Sequence, residues 1–345
     1  MFKVVNREIN KIRKFETKDI VRRRIVITAK QVKLLNHPVG EATTIFNPSL
    51  LIDDKDGIKL YARIVLGYFS YASAIAELRL SIQDIYTPPI NYDANLILYP
   101  GSKYDFWGVE DPRAYRFEGR AFITYSGRTV SYFNPAVRIE RTLPVNAILT
   151  DDGWKKTHVF RLPKQIRQFV VSDKDAFLFK ANKKVFLFHR PHLSDDSFYL
   201  AISEVSDDLL KISNEVKNVV VNNTKTAFEP SKFEIKLGWS TPPIEVEDKY
   251  LVLLHGVDVE IQAYRVFAIL LNDRGEIVAV SPFYIMEPKE SYEIYGDRPY
   301  TVFPCGAQKI DDSIIVSYGA ADSVIGIGEI KVDELLGILD KGRLS

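Results

Sequence analysis

The segment DPRAYRFEGRAFITYSG, residues 111–127, reads as a β-hairpin. Two short runs rich in β-branched and aromatic residues flank Glu118-Gly119, a pair suited to a tight turn. The same texture returns along the chain as NPSLLIDDKDGIKLYARI from Asn47, DAFLFKANKKVFLFHRP from Asp175, PPIEVEDKYLVLLHGV from Pro242 and PCGAQKIDDSIIVSYGA from Pro304. Each copy carries a polar turn: DDKDG, FEGR, ANKK, EVEDK or KIDD. Successive starts lie 64, 64, 67 and 62 residues apart. A period this long holds several strands, which suits the blade of a propeller better than the coil of a solenoid. The expected fold is therefore all-β, a five-bladed β-propeller over residues 37–345. A two-sheet β-sandwich would also supply hairpins, but it would not explain five near-equal intervals. Helical patterning is confined to part of 18–35 (KDIVRRRIVITAKQVKLL) and to 332–340 (VDELLGILD).

Residues 1–36 stand outside the repeats as a basic, partly helical N-terminal arm. They hold eleven Lys or Arg against three Asp or Glu, while the chain as a whole carries +1, so the arm has +8 and the remainder −7. No RNA-binding signature or aromatic-spaced basic stretch accompanies the arm, so no nucleic-acid partner is expected. The arm is expected to dock on its own body or on a neighbouring subunit, where it would build a homo-oligomer. Hydrophobic residues at 46% and aromatic residues at 12% exclude a disordered chain. Cys305 is the single cysteine, which excludes a disulfide scaffold. No apolar run reaches the roughly 20 residues of a membrane span, and MFKVVNREINKIRK lacks the apolar block of a signal peptide. These features predict a cytoplasmic protein without a membrane partner.

In a propeller, equivalent positions of all blades converge at one end of the ring. The entries to the repeats are polar or proline-rich: FNPS, VEDPR, SDKDA, STPP and VFPCG. In Gly108-Val-Glu-Asp-Pro-Arg113, strand alternation predicts that Glu110 and Asp111 point apart, one toward the axis and the other held by Arg113. Lys174, Arg190, Lys236 and His255 fall at positions that a five-fold arrangement directs to the same mouth. Singly, each reads as a surface charge or a satisfied core histidine. Together they would be costly without an anion, and a phosphate or a sugar acid would fit. The five histidines show no metal-ligand spacing, and HExxH, CxxC and EF-hand patterns are absent, so no metal is expected. There is no GxSxG and no Gly-rich phosphate loop ahead of a helix, so no nucleotide cofactor is expected either.

GVEDPR, LFHRP, KLGWSTPPI, LLHGVD, YRV, VFPCGA and YGAADSVIG occur in this order from Asn47 to the helix near 340. In these motifs the chain resembles glycoside hydrolase family 130, the β-mannoside phosphorylases and related β-mannosidases built on a five-bladed propeller. The resemblance implies that Asp111 is the catalytic acid, donating its proton through the 3-hydroxyl of the sugar. It implies phosphate binding by Arg190, Lys236 and His255, with Lys174 as a further basic position. It implies that Asn47, Arg63, Phe303 and Asp322 hold the transferred mannosyl ring, with Arg113 beside them. The implied reaction is reversible phosphorolysis of a β-mannoside to α-mannose 1-phosphate with inversion, with inorganic phosphate as co-substrate. Hydrolysis by water and sugar binding without catalysis are the rivals. The chain departs from the family at Phe179-Lys-Ala-Asn182, at Gly238-Trp-Ser-Thr-Pro242 and in the insertion around 128–145. These departures are expected to flank the cavity and to bear on the acceptor sugar.

Overall fold

The computed structural model describes residues 2–53, 57–67, 71–206 and 208–344. The centre of the DDKDG turn and the end of the run KLYARIVLGYF lie outside them. Five sheets stand in a ring. Their innermost strands are Thr44–Ile52, Val109–Phe117, Val170–Ala181, Glu234–Trp239 and Val302–Ile310, which begin blades 1 to 5. Each of the first three lies against the next. Blade 4 meets blade 5 through Ile244–Val246, and Val302–Ile310 lies against Thr44–Ile52 to close the circle. In every blade the second strand returns antiparallel: Gly57–Val65, Arg120–Arg128, Lys184–Leu193, Lys249–Asp258 and Ser313–Ala320. The helix expected near 332–340 is present at Val332–Leu339.

The apolar core lies mainly between blades. Ile45, Leu50 and Leu60 of blade 1 pack with Ile315, Ile325 and Ile327 of blade 5, and Tyr61 and Ile75 of blade 1 with Ile123, Tyr125 and Val145 of blade 2. A larger cluster joins Phe122, Phe177, Phe188, Trp239 and Phe267 across blades 2 to 4. Alternate positions of each strand thus bury both sheet faces, which is why the hairpins read as near-continuous apolar runs.

The repeat also has a backbone signature. Asn47, Asp111 and Asp175, 64 residues apart, all adopt left-handed φ values of 46°, 49° and 53°. At each, the inner strand slips register against its partner, between Phe46 and Ser49, Glu110 and Arg113, and Lys174 and Phe177. Asn and Asp tolerate this region better than other side-chain-bearing residues, and a bulge re-aims the side chain it carries. In blade 4 the slip falls between Glu234 and Lys236, and in blade 5 between Pro304 and Gly306. The Pro242 start therefore sits several residues past the equivalent position, because the inner strand of blade 4 is broken after Trp239 and resumes at Ile244. Five repeats are correct, but the fourth interval is less regular than the sequence indicated.

The expected helix within 18–35 is not formed. Arg22–Ile27 is a strand that pairs antiparallel with Val324–Lys331 and completes blade 5, and Val32–Leu34 pairs parallel with Tyr92–Leu98 of blade 1. Lys3–Val4 pairs parallel with Asn222–Thr226 of blade 3, leaving Ile9–Ile12 as the single α-helical turn described before Arg22. The N-terminal segment docks on its own body, lacing three blades. Its basic charge meets acids of that body: Arg23 pairs with Glu293 at 3.1 Å, Arg24 with Glu329 at 2.5 Å and Arg13 with Glu234 at 2.9 Å. Both side chains of the last pair are fully buried, and the Arg13 guanidinium lies 3.5 Å from the centre of the Phe267 ring. Removing one partner of such a pair strands the other charge. Arg13→Ala is therefore expected to cost about 3–5 kcal/mol in urea denaturation. Arg13→Met combined with Glu234→Gln should recover most of the loss, and an unchanged Arg13→Ala would show that the pair contributes nothing.

Candidate active site

The bulges bring the polar entries of the blades together around the axis. Asp111 is buried, and its Oδ1 accepts hydrogen bonds from Asn47 Nδ2 at 2.8 Å and from Arg63 Nη1 at 3.0 Å. Arg63 comes from the second strand of blade 1 and is fixed at its Nε by Ser73 Oγ at 3.1 Å. Its other terminal nitrogen lies 3.3 Å from Glu110 Oε1. One guanidinium therefore touches both carboxylates of the EDPR motif. The expectation that Glu110 and Asp111 point apart fails because the bulge at Asp111 breaks the strand alternation on which it rested.

The expected hold of Arg113 on one of the two carboxylates is also replaced. Glu110 is fully buried and held by Arg63, by Arg128 Nε at 2.7 Å and by Lys174 Nζ at 3.4 Å. Burial alone would raise its pKa, but these three cations keep it well below the ordinary carboxylate range. Arg113 faces the opposite way. It donates to the backbone carbonyls of Asp111 at 2.8 Å and Ser240 at 3.0 Å, and lies 3.3 Å from Asp175 Oδ1. It thereby joins the bulge of blade 2 to that of blade 3 and to the break in the inner strand of blade 4.

Asp175 is the centre of the second half of the site. It is buried and pairs with both Arg113 and Arg190, and His255 Nε2 stands 3.7 Å away. The guanidiniums of Arg190 and Arg113 hold it below its usual pKa against the effect of burial. His255 is fully buried, with Nδ1 2.9 Å from Ser240 Oγ and its ring 4.7 Å from that of Phe303. Burial pushes its pKa down to about 3, so it is a neutral imidazole at ordinary pH. Lys236 and Arg190 both approach the ring of Phe198, at 5.1 Å and 5.7 Å. Lys236 makes no hydrogen bond or ion pair among the described residues. Burial, then the charges of Arg190 and Arg298, lower its pKa to about 7. An ammonium held in this way suits a site that receives an anion.

Asp322 is half-buried in the turn between the outer strands of blade 5, with φ 49°. Burial and then the charge of Asp111 raise its pKa to about 6. The ten residues singled out in the sequence thus fall in one network of hydrogen bonds, ion pairs, ring contacts and charge interactions, which Asp175, Arg128, Tyr264 and Tyr132 join. Asp175 was legible as the 64-residue counterpart of Asp111. Tyr264, which stacks on His255 at 5.5 Å, opens the YRV motif, and Arg128 opens the insertion, but neither was singled out. Tyr132 came with the insertion: its hydroxyl lies 3.4 Å from Arg63 Nη2, and Arg128 lies over its ring at 3.3 Å. Arg141 holds this loop by donating to the carbonyls of Asn134, at 2.6 Å, and of Tyr132, at 3.1 Å.

Of the three departures from the family motifs, the insertion therefore does flank the cavity. Phe179 instead packs on Phe188 and Tyr250, and Lys180 pairs with Glu118 on the outside. Trp239 is fully buried and donates to the carbonyls of His189 and Ala201, away from the site. Gly238 beside it does face the site. A methyl there would stand 2.3 Å from the His255 ring and 2.6 Å from Asp175 Oδ2. Gly238→Ala is expected to cost about 1–3 kcal/mol of stability and to weaken binding of sulfate or phosphate. Thermal denaturation and anion titration would check both, and unchanged values would show that the site yields without cost.

The family model of glycoside hydrolase family 130, described as beta-1,4-mannooligosaccharide phosphorylase, matches residues 11–341, beginning upstream of the motifs. The Beta-1,2-mannobiose phosphorylase of Thermoanaerobacter sp. (strain X514) is 33% identical over 235 residues, covering 66% of this chain and 68% of that protein. The 1,2-beta-oligomannan phosphorylase of the same organism is 29% identical over 233 residues, 66% and 70% of the two chains. The solved beta-1,2-mannobiose phosphorylase of Listeria innocua, in complex with beta-1,2-mannobiose, has a similar fold. Its TM-score is 0.72 at 21% identity, over 93% of this chain and 99% of that one. The matched stretch takes in all five blades and every residue of the cavity, and on that ground the chain belongs to glycoside hydrolase family 130.

Proposed function

We propose that the protein is an inverting β-mannoside phosphorylase. The observation that carries this reading is one cluster of polar residues with a hydrogen-bonded carboxylate, Asp111, on one side and, on the other, the ammonium of Lys236, which has no ion pair among the described residues. An inverting glycosidase that uses water needs a carboxylic acid for the leaving oxygen and a carboxylate base to activate the water. Phosphate is already a nucleophile, so a phosphorylase needs an acid and a seat for the oxyanion. In the proposed reaction a phosphate oxygen attacks the anomeric carbon while the bond from that carbon to the bridging oxygen breaks. The proton of Asp111 passes through the 3-hydroxyl of the mannosyl ring to the leaving oxygen. Holding phosphate in line with the bond contributes several kcal/mol by removing the cost of an encounter in solution.

The roles proposed for the residues follow their positions. Asn47 and Arg63 orient Asp111, and with Phe303 and Asp322 they bound the mannosyl subsite. Arg190, Lys236 and the neutral His255 surround the phosphate, and Arg113 fixes the partition between the two halves. Lys174 is engaged with Glu110, so its part is to hold that carboxylate and to add positive potential. The named relatives act on β-1,2-linked mannosides, so β-1,2-mannobiose is the first substrate to test, with the β-1,4 isomer beside it. The test is mannose and α-mannose 1-phosphate release with and without phosphate. Sugar phosphate formed only in the presence of phosphate supports phosphorolysis. Equal mannose release in both cases would replace it with hydrolysis, and binding without turnover with a sugar-binding role. Self-association is proposed through the outward faces of the N-terminal segment, where Val5, Phe15 and Leu35 are exposed. Solution mass across a concentration series tests it.

A further inference from the structure

Most of the cations gathered at this site are paired with carboxylates of the protein itself. Glu110 faces Lys174, Arg63 and Arg128, and Asp175 faces Arg190 and Arg113. His255 is buried and contributes no charge at neutral pH. The positive groups here that make no ion pair among the described residues are Lys236 and one that the motifs do not mark, Arg298. Arg298 follows Asp297 in the loop that leads from the Ser291–Ile294 turn into the inner strand of blade 5. Its backbone is anchored by a 3.0 Å hydrogen bond from its N–H to the carbonyl of Ala321, next to Asp322. The neighbouring Asp297 accepts from Tyr71 Oη at 2.9 Å, which ties the loop to blade 1 across the mouth. The Arg298 guanidinium lies 4.6 Å from the centre of the Tyr264 ring, and Lys236 Nζ lies 5.6 Å from the same centre. Two cations on one aromatic ring, neither ion-paired among the described residues although Asp175 and Asp322 lie within reach of their charge, form a site suited to an anion.

We propose that Arg298 is an oxyanion-binding residue that forms, with Lys236, a two-cation clamp for inorganic phosphate and for the phosphate group of the sugar phosphate. This rests on the phosphorolysis reading and adds the residue that supplies the missing positive charge. Lys236 approaches the anion from within the cavity as a point charge. Arg298 approaches from the mouth with a planar fork able to span two phosphate oxygens. Among the described residues the guanidinium has no ion pair to surrender before it turns from the Tyr264 ring to an incoming anion, and its place at the mouth also makes it the first cation an arriving dianion meets.

The test is calorimetric titration of the full-length protein with inorganic phosphate, for wild type, Arg298→Gln and Arg298→Lys, followed by kinetics in both directions. Arg298→Gln is expected to weaken phosphate binding at least tenfold. It should raise KM for phosphate and for α-mannose 1-phosphate together, with KM for the disaccharide and the melting temperature unchanged. Arg298→Lys should restore part of the affinity, because charge returns without the fork. Wild-type binding matched by Arg298→Gln overturns the assignment and leaves phosphorolysis standing. A wild-type protein that fails to bind phosphate overturns phosphorolysis, and the clamp with it.

Discussion

Asp111→Asn is expected to lower turnover by about 10²–10⁴-fold, the range for removal of a general acid, while the fold stays intact. Asparagine is the substitution to use because position 111 has φ 49°. Asn tolerates the left-handed region as Asp does, whereas Ala or Val would strain the bulge and confound a catalytic loss with a structural one. The amide oxygen can still accept from Asn47 Nδ2 and Arg63 Nη1, so the local geometry has no reason to move. What disappears is the transferable proton and the negative charge. Burial and then Asp111 hold Asp322 at about 6, so the variant should also lower the pKa of Asp322, and the acidic limb of any residual activity should shift down with it. Initial rates across pH 4–8 and a melting curve check both parts. Turnover within threefold of wild type would remove Asp111 from the acid role.

The number of blades and the gathering of the polar blade entries were legible because both follow from a repeat marked by local chemistry. Glu118-Gly119 marks a turn whatever surrounds it, and DPR combines a residue suited to left-handed φ with a rigid successor. The 64-residue spacing of Asn47, Asp111 and Asp175 reproduced a structural equivalence that includes their backbone conformation. What was misread depended on partners distant in sequence. The run VRRRIVIT looked helical by its flanks, yet it forms the outer strand of blade 5 because Val324–Lys331 leaves an unpaired edge about 300 residues away. Pairing so remote leaves no periodic trace in either segment. Arg113 was expected to hold one carboxylate of the EDPR motif because it is near in sequence, whereas it turns toward Asp175, and Glu110 pairs with Arg63, 47 positions earlier. The charge imbalance of the N-terminal segment was visible, but not that its arginines would be used as buried pegs. Within the site, the sequence counted cations correctly but could not show which ones are already neutralised. That distinction separates Lys236 from Lys174 and Arg190.

Lys236→Met is expected to change stability and anion binding in opposite directions. In the wild type the protonated side chain is partly desolvated, faces Arg190 and Arg298, and has its pKa lowered from 10.5 to about 7. A lysine whose pKa falls on folding opposes folding. The penalty is complete below pH 7, where both states carry the proton, and it fades between pH 7 and 10.5 as the folded state stays neutral and the unfolded state loses its charge. Methionine fills similar space without the charge. The variant should therefore be more stable than wild type by about 1–3 kcal/mol at pH 6, with the difference shrinking toward pH 10. Its KM for phosphate should rise by about 10–100-fold, the effect of losing one charge-assisted contact, with KM for the mannoside little changed. Sulfate separates the protein's titration from that of phosphate, since it remains a dianion throughout. Wild-type affinity for sulfate should be flat below pH 7 and fall by up to tenfold per unit above it, whereas the variant should show weak binding without that break. Urea denaturation at pH 6 and 10, with sulfate titrations across the same range, decides the matter. A destabilised variant that keeps its sulfate affinity would mean that Lys236 serves packing rather than the anion.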